Sequence, residues 1–228
     1  MLEKIRSTIN ELEAVAKNKP IRVISHFDAD GITAAAIFSR ALYRWNKPFT
    51  LQIVKNLDEE GIAQLPENNT LVFLDLASGS LNYLAQKNTD VFIFDHHEIA
   101  QEIPSNVRMI NPLLLNHEPC SGAAIAYLFA KTLSEENIDL ANLAVIGMVG
   151  DQFTDAIGKT YDQILKDASI TVRKGLLLYP STRPLDKALE YSTSFYIPGV
   201  TGSFRGVLDL LREAGIEKTP TGYKSLAE

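Results

Sequence analysis

The sequence predicts an α/β fold, a parallel sheet with helices on both faces, followed by a helical C-terminal extension. Three observations carry that expectation. Continuous apolar runs around Phe73 and Phe92 have the character of strands buried on both faces. Segments of helical period alternate with them along the first half of the chain. The 228 residues are 46% hydrophobic and 22% charged, enough apolar material for a full-sized core, which excludes disorder, collagen and disulfide scaffolds.

Each element has its own signal. Ile5, Ile9, Leu12 and Val15 recur at helical spacing, so residues 2–17 are expected to form an amphipathic helix that Pro20 ends. Residues 21–25 are short and β-branched and read as a strand. The polar turn 26–31 follows, and residues 32–45 read as an Ala-rich helix, with Gly31 letting the chain turn into it. Residues 51–54 and 71–76 are strand-like, 80–87 helical, and 91–94 a further buried strand. After residues 107–110 the character becomes helical. Residues 121–133 form a helix with Ser121 as its N-cap, followed by helices at 137–149 and 159–168. Pro180, Pro184 and Pro198 interrupt residues 170–200, and a last amphipathic helix over 203–214 stops at Gly215. The tail 219–228 shows no packing logic and reads as a hinge toward something beyond it. The expected organisation is one domain over 1–170 and an extension or linker over 171–228.

Composition also limits the function classes. Cys120 is alone, so no internal disulfide forms and a reducing compartment is expected. The N-terminus has no apolar signal core, and no apolar run reaches the roughly 18–20 residues of a bilayer span. A soluble, cytoplasmic protein without membrane partners is the expectation. Lys plus Arg total 22 and Asp plus Glu 28, a net charge of -6, which argues against a broad basic surface for a polyanion. Two divalent cations held by carboxylates would move -6 to about -2, placing positive charge where a phosphate would sit.

The chemistry-bearing residues are grouped. His26, Asp28 and Asp30 follow the first strand, Asp75 ends the third, and Asp95, His96 and His97 follow the fourth. In a parallel sheet the carboxyl ends of the strands share one edge, so these residues converge there. Asp151 adds a carboxylate after an apolar helix. Carboxylates and imidazoles without thiolate suit Mn²⁺ or Mg²⁺, with Zn²⁺, Fe²⁺ and Co²⁺ as competitors. The donors are too many for one tetrahedral zinc and suit two metals that share a carboxylate and activate a water for phosphoryl displacement.

SHFDADGITAAAI, FLDLASG, FDHHE and GMVGDQF resemble, in order and context, the four motifs of the DHH phosphoesterases over residues 21–155. Asp-Ala-Asp-Gly-Ile-Thr resembles the RecJ-like branch, including its archaeal homologues. The resemblance makes the domain over 1–170 a DHH catalytic domain. It implies that His26 and Asp28 hold one metal, that Asp30, His96 and Asp151 hold the other, and that Asp75 bridges them. It also implies that His97 faces the scissile phosphate and that Asp95 orients the imidazoles. The implied cofactors are two divalent ions, manganese foremost and magnesium next. Ser121 and Gly122, opening a helix with free N–H groups, are candidates for substrate-phosphate contact. A Gly-Gly-rich second domain, usual in DHH enzymes, has no counterpart before Glu228.

The expected function is therefore a metal-dependent phosphodiester hydrolase, a RecJ-like exonuclease on single-stranded DNA or RNA. One alternative is a phosphatase of pyrophosphate, oligophosphate or nucleotides, kept open by the scattered cations Lys55, Arg108, Arg173, Lys174 and Arg205. Another is a replication or repair scaffold with a protein partner and a retained metal site. His117 reads as an exposed loop residue, Cys120 as a small buried one, and Asp155 as a surface carboxylate.

Overall fold

The computed structural model describes residues 1–17, 19–153, 158–172, 178, 182–193 and 195–226. The chain divides into two compact units, Met1–Thr171 and Val172–Glu228.

The first unit is built on five parallel strands, β1 (Ile21–His26), β2 (Phe49–Val54), β3 (Thr70–Leu74), β4 (Val91–Phe94) and β5 (Val107–Ile110), in the order β2-β1-β3-β4-β5. Side chains alternate between two cores, as a period of two requires. Val23, Val72, Leu74, Phe92 and Phe94 pack against α1 (Leu2–Val15), α2 (Ala29–Arg44), α5 (Gly122–Leu133) and α6 (Ala141–Gly150). Ile24, Leu71, Phe73, Val91 and Ile93 pack on the other face, against Ile62 of α3 (Glu59–Ala63) and Leu81 and Leu84 of α4 (Leu81–Leu84). A final helix of this unit, α7 (Lys159–Asp167), buries Tyr161 and Ile164. The chain leaves β1 toward β2 on one side and returns to β3 on the other, so a crevice opens at the carboxyl ends of β1 and β3.

The elements differ from expectation at informative places. The strand expected over 71–76 stops at Leu74 because Asp75 adopts φ +58°, outside the strand region. The helix expected over 80–87 regularises only four residues; afterwards the turns tighten to i→i+3 bonds, Gln86 to Tyr83 and Lys87 to Leu84. The helix expected over 137–149 is split into a 3₁₀ turn, Glu135–Leu140, and α6, with buried Asn137 donating back to the Ala130 carbonyl. The short α3 was not anticipated.

The second unit has its own small core of Leu178, Ala188, Leu189, Val200, Val207 and Leu211. Its helices are α8 (Leu185–Glu190) and α9 (Phe204–Glu213); Ser203 caps α9 and Gly215 at φ +69° ends it. The tail is not a bare hinge. Tyr223 packs against this core, the Leu185 N–H donates to the Lys224 carbonyl, and Thr219 pairs with Gly222. No helix among the described residues is long and apolar enough to cross a membrane.

Candidate metal centre

The centre begins where β1 meets α2. Asp28 is the N-cap of α2, accepting the Gly31 N–H at 2.9 Å, so the helix starts earlier than the expected residue 32. Gly31 therefore lies inside the first turn of α2. It is small because a Cβ there would overlap the His26 carbonyl. Asp30 lies in the first turn of α2 with its side chain fully buried. The two Asp30 oxygens accept the N–H groups of Gly122 and Ala123, the latter at 2.9 Å, so the positive end of α5 holds this carboxylate. Gly147 lets α6 pass: a Cβ there would overlap both Asp30 and Ala123.

Asp75 stands at the end of β3 with its side chain 1% exposed, and its positive φ turns the carboxylate toward the groups from the neighbouring strands. His96 Nε2 lies 3.1 Å from Asp75 Oδ1, 3.0 Å from Asp151 Oδ2 and 3.8 Å from Asp30 Oδ2. His26 Nδ1 lies 2.8 Å from Asp28 Oδ2 and 3.6 Å from Asp75 Oδ2. Three sets of potential ligands lie among the described residues, Asp30, Asp75, His96 and Asp151 in one, His26, Asp28 and Asp75 in another, and Asp75, Asp95, His96 and His97 in a third, with Asp75 common to all. In the third, Asp95 and His97 are already bonded to each other.

The donor chemistry fits divalent cations. His26 Nδ1 and Asp75 Oδ2 are buried atoms with no hydrogen-bond partner despite their short separations, so the lone pairs converge without satisfying one another. Such an arrangement is costly unless a cation sits among the donors. All the donors are oxygen or imidazole nitrogen, the set that suits Mn²⁺ or Mg²⁺. Cys120 is buried, and burial pushes its thiol up to about 12, so it supplies no thiolate.

Electrostatics divide the acids into two classes. Burial, reinforced by Asp30, pushes Asp75 up to about 8 even though His96 works in the opposite direction. Burial also raises Asp30, against the α5 N–H groups. Burial works against a charged His96, but its bonds to Asp151 and Asp75 overcome it and lift the imidazole to about 10. Asp75 and His96 therefore hold protons at neutral pH in the absence of metal. Asp95 behaves differently. Burial opposes its charge, yet His97 and the Ser78 N–H outweigh it and bring Asp95 down to about 2. The Asp95 Oδ1–His97 Nδ1 distance is 2.7 Å, and that hydrogen bond raises His97 above its ordinary range. The His97 ring is 56% exposed, whereas Asp95 is fully buried.

Ser121 and Gly122, the residues expected to contact a substrate phosphate, lie at the start of α5. Both are buried; Ser121 caps α5 by accepting the Ala124 N–H, and its own N–H donates to Tyr161 Oη. The group at this helix terminus is Asp30 itself, which accepts the Gly122 and Ala123 N–H groups. His117 is half-buried, and the neighbouring Glu118 caps α7 through the Lys159 and Thr160 N–H groups. Asp155, Arg173 and Lys174 lie outside the described residues. Sequence reasoning missed Ser78, which steadies Asp95, and Asn111, whose side chain donates to the His97 carbonyl at 2.9 Å. It also missed Tyr161 and Phe153, the latter edge-on to His96. Ser78 and Phe153 lay within the quoted motifs FLDLASG and GMVGDQF; Asn111 follows β5 and Tyr161 lies in α7, with no local pattern to mark either.

A model of the DHH family, N-terminal domain, matches residues 20–148. This chain belongs to the DHH family. A DHH-CID domain model matches residues 178–224, within the second unit. Among curated proteins, MJ0831 of Methanocaldococcus jannaschii is 26% identical over 238 residues, covering 95% of this chain and 54% of that protein. The single-stranded-DNA-specific exonuclease RecJ of Thermus thermophilus is 30% identical over 158 residues, 61% of this chain and 23% of RecJ. The chain thus spans about half the length of the first relative and a quarter of the second. Two solved structures share the fold. Exonuclease RecJ bound to manganese aligns with a TM-score of 0.63 at 22% identity, over 72% of this chain and 47% of that one. CDC45 from Entamoeba histolytica aligns at 0.65 and 16%, over 99% and 53%. The DHH domain here is RecJ-like, an α/β domain on a parallel sheet.

Proposed function

We propose that this DHH protein is a phosphodiester hydrolase acting on single-stranded nucleic acid with the help of two divalent cations. The observation that carries the reading is the pair of donor sets joined through Asp75 at the crevice between β1 and β3. The RecJ names and the manganese in a RecJ structure support it. When bound, the cations supply an activated water and neutralise charge on the phosphoryl oxygens.

The protein residues have separable tasks. Asp30, His96 and Asp151 would hold one cation and His26 and Asp28 the other, with Asp75 available to both. Asp95 fixes Nδ1 of His97, so the proton on Nε2 of that ring is available to the phosphate or to the departing oxygen. The hydrogen bond to Asp95 raises the proton affinity of His97 and so favours its charged form, as a partner for an anion requires. The burial of Asp30 and Asp75 keeps water from competing for the cations.

Incubating the protein with a single-stranded DNA, the matching RNA, a duplex and pyrophosphate tests the reading. Shortening of a single strand, dependent on Mn²⁺ or Mg²⁺ and stopped by EDTA, is expected. Cleavage in EDTA, or release of phosphate from pyrophosphate alone, would overturn it.

A further inference from the structure

The mouth of the centre opens into a cavity of about 520 Å³, of ordinary ligand-pocket size. His26, Asp75 and His97 form the side nearest the donors, and Val54, Leu57, Leu76 and Ala77 supply an apolar lining. Lys55 is the one lysine or arginine among the lining residues. Phe27, between the motif residues His26 and Asp28, is 47% exposed and is not itself a lining residue; it adjoins the cavity through its neighbours His26 and Lys55. Its ring meets His26 edge-on, centroids 4.9 Å apart, and Lys55 Nζ stands 5.9 Å over it. The backbone that forms the cavity wall is strained, with Ala77 at φ +90° as well as Asp75 at +58°. Strain of that kind persists where a shape is required by function.

We infer that this cavity receives a nucleobase adjoining the scissile phosphate, with Phe27 as its stacking platform and Lys55 as the partner of the next phosphate. The inference rests on the phosphodiesterase reading and names the substrate feature that the site selects. A bare oligophosphate fits the lining poorly, because it leaves the apolar walls uncovered and, away from the donors, meets one lysine beside the Glu98 carboxylate. A flat ring covers those walls and leaves its phosphate near the donors. The exposed cation–π contact between Lys55 and Phe27 is weaker than base–aromatic stacking, so a base displaces the ammonium. Lys55 is then released toward the backbone.

The test measures binding of the full chain, in calcium, to a fluorescent thymidine octamer and to an abasic deoxyribose-phosphate octamer. The thymidine strand is expected to bind about tenfold more tightly. Phe27→Ala should bring the two strands within about twofold by weakening only the thymidine complex, and Phe27→Trp should restore the preference. Lys55→Gln should weaken both strands alike and flatten the salt dependence. Equal binding of the two strands by the parent, binding of neither, or a preference that survives Phe27→Ala would overturn the inference. Manganese-dependent cleavage of both strands at equal rates would overturn it while leaving the proposed hydrolase standing. A base preference without any cleavage would do the reverse.

Discussion

The two halves of the metal centre are built differently. On one side Asp30, Asp75, His96 and Asp151 have side-chain exposures of 0, 1, 16 and 19%, and the α5 terminus and Gly147 enforce their places. On the other, His26 and Asp28 are 26 and 42% exposed and meet only at the start of α2. A buried, crowded set of acids favours a retained cation, and an open pair beside a cavity favours an exchangeable one that arrives with substrate. The difference teaches that the two ions should be unequal in affinity and in role.

The largest expected effect comes from the residue common to both halves. Asp75→Asn should abolish strand cleavage, measured as nucleotide release in Mn²⁺. The same change should raise the stability of the metal-free protein. Asp75 has a folded pKa of about 8 against about 3.9 unfolded, so its contribution is intact below about pH 4 and lost as pH rises toward 8. At pH 8 the neutral amide escapes that loss, and urea unfolding should show a gain above about 1 kcal/mol. A variant less stable than the parent at pH 8 in EDTA would contradict this electrostatic account.

Asp95→Asn should lower the rate about 10–100-fold, the usual scale for a residue that orients another. Because Asp95 raises the pKa of His97, the alkaline limb of the rate profile should move to lower pH. An unchanged profile would remove His97 from the proton inventory.

Stability at pH 5, where neighbouring acids share protons, separates the halves more finely. Asp30→Ala orphans the Gly122 and Ala123 N–H groups and should cost about 2 kcal/mol or more. Asp28→Ala removes one cap on a half-exposed turn and should cost about 1 kcal/mol. Equal losses would mean that the α5 terminus does not depend on Asp30. The smallest effect is on protons. The cluster holds them at neutral pH without metal, so manganese binding should release protons and tighten from pH 6 to 8. Calorimetry in two buffers of different ionisation enthalpy reads this directly.

Much of this centre was legible because strand-end chemistry survives in linear sequence. His26, Asp28, Asp75 and His96 each sit at the edge of an apolar strand, and a parallel sheet has only one place to bring such edges together. At Ser121–Gly122 the sequence conceals a partner: a helix terminus attracts an anion, but nothing local says that Asp30, some ninety residues earlier, accepts its N–H groups. Asn111 and Tyr161 act through buried hydrogen bonds across distant segments, and neither carries a local pattern. Within the fold, the strands were clear from their apolar runs. The second unit was not, because its small core draws single residues from between prolines and glycines.

The central claim is that two cation sites meet at Asp75, and manganese titration followed by electron paramagnetic resonance tests it most directly. The parent should bind two ions, one tightly and one weakly, with spectra showing spin coupling between them; Asp75→Asn should lose the weak ion and the coupling. A single uncoupled ion in the parent, or two coupled ions in Asp75→Asn, would contradict the account.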